Sequence, residues 1–302
     1  MERLILATLF VAGCGGSGNK QNDGSASTQD LSVSAGDDMT IASHHDLAGT
    51  PADDGGASDD GGSSTGAGAI HLTTSPTLGS YLVDGAGRSL YLFGSDVPAG
   101  ATTAAVSNCG ATCIPYWPVF HVDTVTVSGN VSASDFAEIV RTDGAKQTTY
   151  KGWPLYYFAS DSAAGEVNGQ GVSGTWFVAT QPFYTTMVRA DAVATHFLTD
   201  GGGRSLYVFA SDTVGTSTTA PVSACQTGGC ATNWPVFTLA PNVAPSTLLG
   251  SDFTTLTWTD GTTKQVVYKG HPLYYFKGDA AVPGAVAGRA VTGWSTLDPT
   301  AP

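Results

Sequence analysis

One short pattern, present in four copies, sets a phenol and a carboxylate at a fixed spacing. Tyr-x-Phe-x-x-Asp occurs as Tyr91, Phe93, Asp96; as Tyr156, Phe158, Asp161; as Tyr207, Phe209, Asp212; and as Tyr274, Phe276, Asp279. A phenol and a carboxylate at fixed spacing could exchange a proton, and a carboxylate could hold a cation. The residues favour a plainer role. No Asp-x-Asp-x-Asp spacing surrounds any of the four aspartates, so no calcium loop is indicated. Each aspartate follows its strand by three residues, where a short carboxylate caps a turn by accepting backbone N–H bonds. The pattern tyrosines read as core residues with the hydroxyl at the rim. Tyr150-Lys151-Gly152 and Tyr268-Lys269-Gly270 keep a cation in both copies, which suits a solvated turn better than an anion site.

The cysteines are the second chemical feature. Cys109 and Cys113 precede Trp117-Pro118, and Cys225 and Cys230 precede Trp234-Pro235. Local structural disulfides are expected, each contributing about 2 kcal/mol by loop entropy. A four-thiolate zinc site would need the two pairs to converge, and neither has the two-residue spacing of a zinc knuckle. A redox dithiol normally keeps two intervening residues at a helix start, whereas here the spacing changes between copies.

Enzyme machinery is missing from the sequence. There is no Gly-x-Ser-x-Gly elbow, no His-Glu-x-x-His and no phosphate-cradling or dinucleotide glycine motif. His121, His196 and His271 correspond to Thr238, Ser80 and Trp153 in the other copy, so the two copies share no histidine chemistry. The expectation is a non-enzyme with no cofactor and no dedicated metal site.

These motifs must be positioned by β-structure. Asp84 to Phe93 recurs as Asp200 to Phe209, Gln147 to Phe158 recurs as Gln265 to Phe276, and Trp176 recurs as Trp294. Such a long-period repeat means two tandem homologous domains, and the half-length echo of the tyrosine pattern means that each has an internal half-repeat. In Ser89 to Phe93, Leu90 and Leu92 fall on one face and Tyr91 and Phe93 on the other. Both faces are apolar, so the strand belongs inside a sandwich or barrel. Asp84-Gly85-Ala86-Gly87 and Asp200-Gly201-Gly202-Gly203 supply tight turns with positive φ, as do Asp143-Gly144 and Asp260-Gly261. About seven short strands per domain are predicted, at 81–83, 89–93, 118–121, 138–142, 147–150, 155–158 and 175–179 in the first. The fold class expected is all-β: two antiparallel sandwich-like or barrel-like domains, 71–185 and 186–302, after a disordered linker.

The rest of the chain differs in kind. Between Gly15 and Ile70 lie Asp23, Asp30, Asp37, Asp38, Asp46, Asp53, Asp54, Asp59 and Asp60 against the single Lys20, with no aromatic residue. Such a segment cannot bury enough apolar surface to offset an ordering entropy of about 1–2 kcal/mol per residue. Residues 14–70 are therefore expected to be a self-repelling tether, with His44 and His45 as part of it. The whole chain has 302 residues and a formal charge of −13, which argues against a nucleic-acid partner. No stretch of about 18 apolar residues occurs.

Residues 75–300 resemble the bacterial secreted-repeat lipoproteins of unknown function, marked by this tyrosine–aromatic–aspartate pattern with a nearby Trp-Pro and an N-terminal lipobox. The resemblance implies export and assigns no activity. Leu4 to Val11 form a short apolar run, and Val11-Ala12-Gly13-Cys14 resembles a lipobox. Residues 1–13 are then a signal peptide, and Cys14 the lipidated residue that anchors the chain to a membrane. Gly15 after the cysteine looks like sorting to the outer membrane, facing the periplasm or the cell surface. The leading expectation is a non-enzymatic binding or structural module of the cell envelope, partnered by the membrane and by an envelope protein or ligand. The alternative is an envelope redox or metal-handling protein. Sugar binding through exposed Trp117, Trp153 or Trp234 is a third expectation.

Overall fold

A computed structural model of the chain describes residues 69–191, 195–238 and 243–300. The signal segment, Cys14, the His44-His45 pair and the tether up to residue 68 lie outside the described residues. Contacts group the described residues into one compact unit. No helix among the described residues is long and apolar enough to cross a membrane.

The first repeat contains β1 (Ala69–Ser75), β2 (Gly79–Asp84), β3 (Tyr91–Phe93), β4 (Thr126–Val127), β5 (Phe136–Val140), β6 (Lys146–Tyr150), β7 (Trp153–Pro154), β8 (Trp176–Val178) and β9 (Thr180–Gln181). The second contains β10 (Thr186–Ala190), β11 (His196–Asp200), β12 (Tyr207–Phe209), α1 (Gly228–Asn233), β13 (Phe253–Thr257), β14 (Lys264–Tyr268), β15 (His271–Pro272) and β16 (Trp294–Thr296). The pairings repeat one for one. β1 with β2 matches β10 with β11, β3 with β8 matches β12 with β16, and β5-β6-β7 matches β13-β14-β15, all antiparallel. The expected all-β, tandem-repeat class holds, with short strands in small sheets joined by single bridges and, among the described residues, one short α-helix that begins within the second disulfide loop and runs on past Cys230.

The turn chemistry read from the sequence forms these hairpins. Asp84 Oδ1 accepts the N–H of Ala86 and of Arg88 at 2.9 Å each, and Gly87 takes φ +80°. Asp200 treats Gly202 and Arg204 identically, with Gly203 at φ +79°. The turns between β6 and β7 and between β14 and β15 place Lys151 (φ 49°) and Lys269 (φ 45°) in the left-handed region, each followed by a glycine that is left-handed too. That sequence of angles is a mirror-image hairpin turn, whose twist matches the strands it joins.

Strand β3 divides the interior as its alternation predicts. Leu90 and Leu92 are fully buried in a large cluster on one side, while Tyr91 and Phe93 enter an aromatic cluster on the other. The large cluster spans both repeats, uniting Leu82, Leu92 and Phe120 with Met187, Leu206 and Leu273. Trp153 reinforces the junction: fully buried, it donates its indole N–H to the Gly201 carbonyl at 2.8 Å. Each aromatic cluster is private to one repeat.

Candidate functional site

The four tyrosine–aspartate patterns meet in pairs, and each pair is reciprocal. Tyr91 and Tyr156 exchange both backbone hydrogen bonds, at 2.8 and 3.0 Å, so the two half-repeats cross at this bridge. The Tyr91 hydroxyl then donates to Asp161 Oδ2 at 2.6 Å, and the Tyr156 hydroxyl to Asp96 Oδ2 at 2.7 Å. In the second repeat Tyr207 bonds Asp279 at 2.7 Å and Tyr274 bonds Asp212 at 2.8 Å, across the same kind of bridge. Every phenol thus reaches the aspartate of the other half-repeat, not its own.

The second carboxylate oxygen holds a loop. Asp96 Oδ1 accepts the Asn108 N–H at 2.6 Å, Asp161 that of Asn168 at 2.9 Å, Asp212 that of Ala224 at 2.7 Å and Asp279 that of Ala287 at 2.9 Å. Burial raises the pKa of all four carboxyls, and Asp96, fully enclosed, is pushed up to about 7. The donors offset that penalty in part, since each hydrogen bond to the carboxylate favours its charged form. Burial and the facing carboxylates hold all four phenols well above their ordinary range.

A column of rings lies over each pair. Phe93 stacks on Trp176 at 4.2 Å between centroids, Trp176 on Trp117 at 3.7 Å, and Phe158 packs on Trp117 at 4.3 Å. Phe209, Trp294, Trp234 and Phe276 repeat the order at 4.3, 3.6 and 4.3 Å. The column alternates between half-repeats, so each phenylalanine of the pattern covers the other half's tryptophan. A glycine closes the site in each repeat: a Cβ on Gly169 would sit 2.7 Å from the Trp117 ring and one on Gly288 2.7 Å from the Tyr207 ring. Trp117, Trp153 and Trp234 are therefore core residues, which overturns the expectation that they are exposed platforms for sugars.

The disulfides Cys109–Cys113 and Cys225–Cys230 are both formed, with Cys109 and Cys225 fully buried. Each brackets the loop that the first aspartate of its repeat holds, and the half-cystines pack into the aromatic clusters. Buried Arg141 ties the first of these loops down, donating to the Cys109 carbonyl at 2.8 Å, to Ser107 and to Asp143. Trp258 stands at the matching position of the second repeat and donates to Gln265 instead. The duplicated lysine has a structural partner in the first repeat, where Lys151 Nζ lies 2.9 Å from Asp135. His121, Asp123 and Glu138 bring three candidate ligand atoms within 4.8 Å of one another. Glu138 is already engaged there by His121 at 2.9 Å and by Lys146 at 3.1 Å.

One feature that local sequence motifs do not reveal is a groove beside the lock in each repeat. In the second it is lined by Arg204, Pro235, Tyr275, Phe276, Lys277 and Asp279 and encloses about 420 Å³. In the first, Arg88, Pro118, Tyr157, Phe158, Ala159 and Asp161 line about 200 Å³. The arginine lies flat on the tyrosine ring in both, at 3.9 and 4.0 Å, and forms an ion pair with the aspartate of the hairpin turn. The signal was present in the sequence as the retained Asp-x-x-x-Arg and Pro-Leu-Tyr-Tyr-Phe strings, but nothing in either string says that they share a wall.

Two segments of the chain, 138–180 and 254–294, each match the family model described as a secreted repeat of unknown function. The resemblance read from the tyrosine pattern is thereby confirmed, in both copies. These segments contain the second tyrosine, phenylalanine and aspartate of each lock together with Trp176 and Trp294. The description as secreted supports export as the coarse statement of location. No curated protein and no solved structure matches the chain.

Proposed function

We propose that the protein is an exported, lipid-anchored module of the bacterial cell envelope that binds a partner or ligand without catalysing a reaction. One observation carries this reading. The four phenols of the repeated pattern are buried, and they and their aspartates are spent on each other and on loop N–H groups. An acid–base catalyst must present such a group to a substrate, whereas a scaffold uses it to tie two half-repeats together. Cys14 anchors the chain on the lipid side, residues 15–68 act as spacer, and the repeats, which begin at β1 with Ala69 and the buried Ile70, carry the binding surface. The outer membrane is the favoured site of anchoring, on the strength of Gly15.

Labelling of expressing cells with an alkyne fatty acid tests the anchoring. The wild-type chain is expected to take up the label and to sediment with membranes, and Cys14→Ser to do neither. An unlabelled, soluble wild-type chain would overturn the reading. Metal handling is the second reading, supported by the His121, Asp123 and Glu138 cluster. Zinc titration of the wild-type chain and of Glu138→Gln separates the two: stoichiometric binding lost in the variant favours metal handling.

A further inference from the structure

The grooves of the two repeats share a frame and differ in charge and width. Nε of Arg204 lies 2.8 Å from Asp200 Oδ2, the guanidinium rests on Tyr275, and the side chain remains 41% exposed. A guanidinium held by a carboxylate at its Nε and by a ring under its face needs little further ordering to receive an anion. Lys277, exposed, adds a second positive charge where the first repeat has Ala159. Asp279 is the only carboxylate in the wall, and it is committed to Tyr207 and to the Ala287 N–H. The remaining wall is apolar: Phe276, Pro235 and the pair Ala280-Ala281.

That alanine pair is itself distinctive. Ala280 and Ala281 take φ +50° and +57°, angles that cost a residue with a Cβ about 1–2 kcal/mol each. Ser162 and Ala163 hold the matching places in the first repeat and are not left-handed. The second groove is about twice as large as the first, and its volume falls in the range of small-molecule sites.

We propose that the groove of the second repeat binds a small organic anion, its carboxylate between Arg204 and Lys277 and its aromatic or aliphatic body against Phe276, Pro235 and the Ala280-Ala281 turn. The proposal rests on the binding-module reading above and names the ligand class. A planar carboxylate suits the guanidinium edge, and an ammonium supplies the second contact.

Calorimetric titration of the full-length chain with 3-phenylpropanoate, and separately with its neutral amide, tests the site. One saturable site per chain is expected, at least tenfold tighter for the carboxylate. Lys277→Ala should remove most of that preference, and Thr232→Phe, which fills the groove from the exposed face of α1, should weaken binding of the carboxylate at least tenfold. Both variants should melt at the wild-type temperature. Absence of saturable binding, equal affinity for the amide, or undiminished binding in both variants would overturn the proposal. The outcome is separable from that of the anchoring test: a flat titration with a normally lipidated chain refutes the groove alone, and an unlabelled chain that still binds refutes the anchor alone.

Discussion

Asp96→Asn probes the cost of the reciprocal lock. Asp96 has no exposed surface, and its carboxyl is pushed from 3.8 to about 7 by loss of hydration, against the pull of Asn108, Tyr156, Arg189 and Arg141. A shift of roughly three units at about 1.36 kcal/mol per unit corresponds to about 4 kcal/mol. Because the folded pKa lies above the unfolded one, the unfolded chain gives up this proton first as pH rises. The favourable contribution is full below pH 3.8 and is lost progressively up to about pH 7, above which both states are ionised and the cost is constant. Asparagine keeps the shape: its carbonyl accepts the Asn108 N–H, and its amide can donate to the Tyr156 hydroxyl. Urea unfolding of both proteins from pH 4 to 8 should therefore show the variant gaining on the wild type by up to about 4 kcal/mol. Residual slope in the variant is expected from Asp161, Asp212 and Asp279, which are raised in the same direction. A difference between the two proteins that stays constant over this pH range would refute the reasoning.

Gly288→Ala should destabilise by about 1–3 kcal/mol through overpacking against Tyr207 and Trp234. Gly110→Ala, which meets nothing within 4 Å, should change the melting temperature little. Non-reducing peptide mapping should join Cys109 to Cys113 and Cys225 to Cys230, and the Cys225→Ser/Cys230→Ser pair should cost about 2 kcal/mol of stability in denaturant titration. The stacked indoles should give an excitonic near-ultraviolet dichroism signal that Trp176→Phe roughly halves, because Trp234 and Trp294 keep the second column; an unaltered spectrum would contradict the stacking.

Much of this architecture is written in local patterns. The Asp84 and Asp200 hairpins, the left-handed glycines that close them and the two-faced strand Ser89–Phe93 follow from short-range stereochemistry and a period of two, and the structure has them where the patterns lie. The four pattern aspartates, expected to cap the turns beside them, do accept backbone N–H groups, but from loops seven to twelve residues further along the chain. The segments 118–121 and 155–158, expected as strands, are reduced to bridges at Val119 and Tyr156, with the Phe120 carbonyl further accepting the Thr148 N–H at 2.9 Å; Pro118 lacks an N–H to extend the ladder, and Trp117 is drawn into the ring column. The burial of Trp117 and Trp234 is not legible in the sequence, because exposure of an aromatic ring depends on what stacks upon it, and here those partners come from another half-repeat.

The sequence by itself determined that the chain is a duplicated, disulfide-bearing β-protein with an acidic, aromatic-free leader region, because composition, repeat period and turn residues are properties of neighbouring positions. Only the tertiary structure decided that each tyrosine answers the other half's aspartate, that the rings interleave, and that one groove is charged and open while its twin is narrow. Those choices depend on which surfaces meet when two similar halves pack about a common bridge, and identical motifs carry no record of their partners until the chain brings them together.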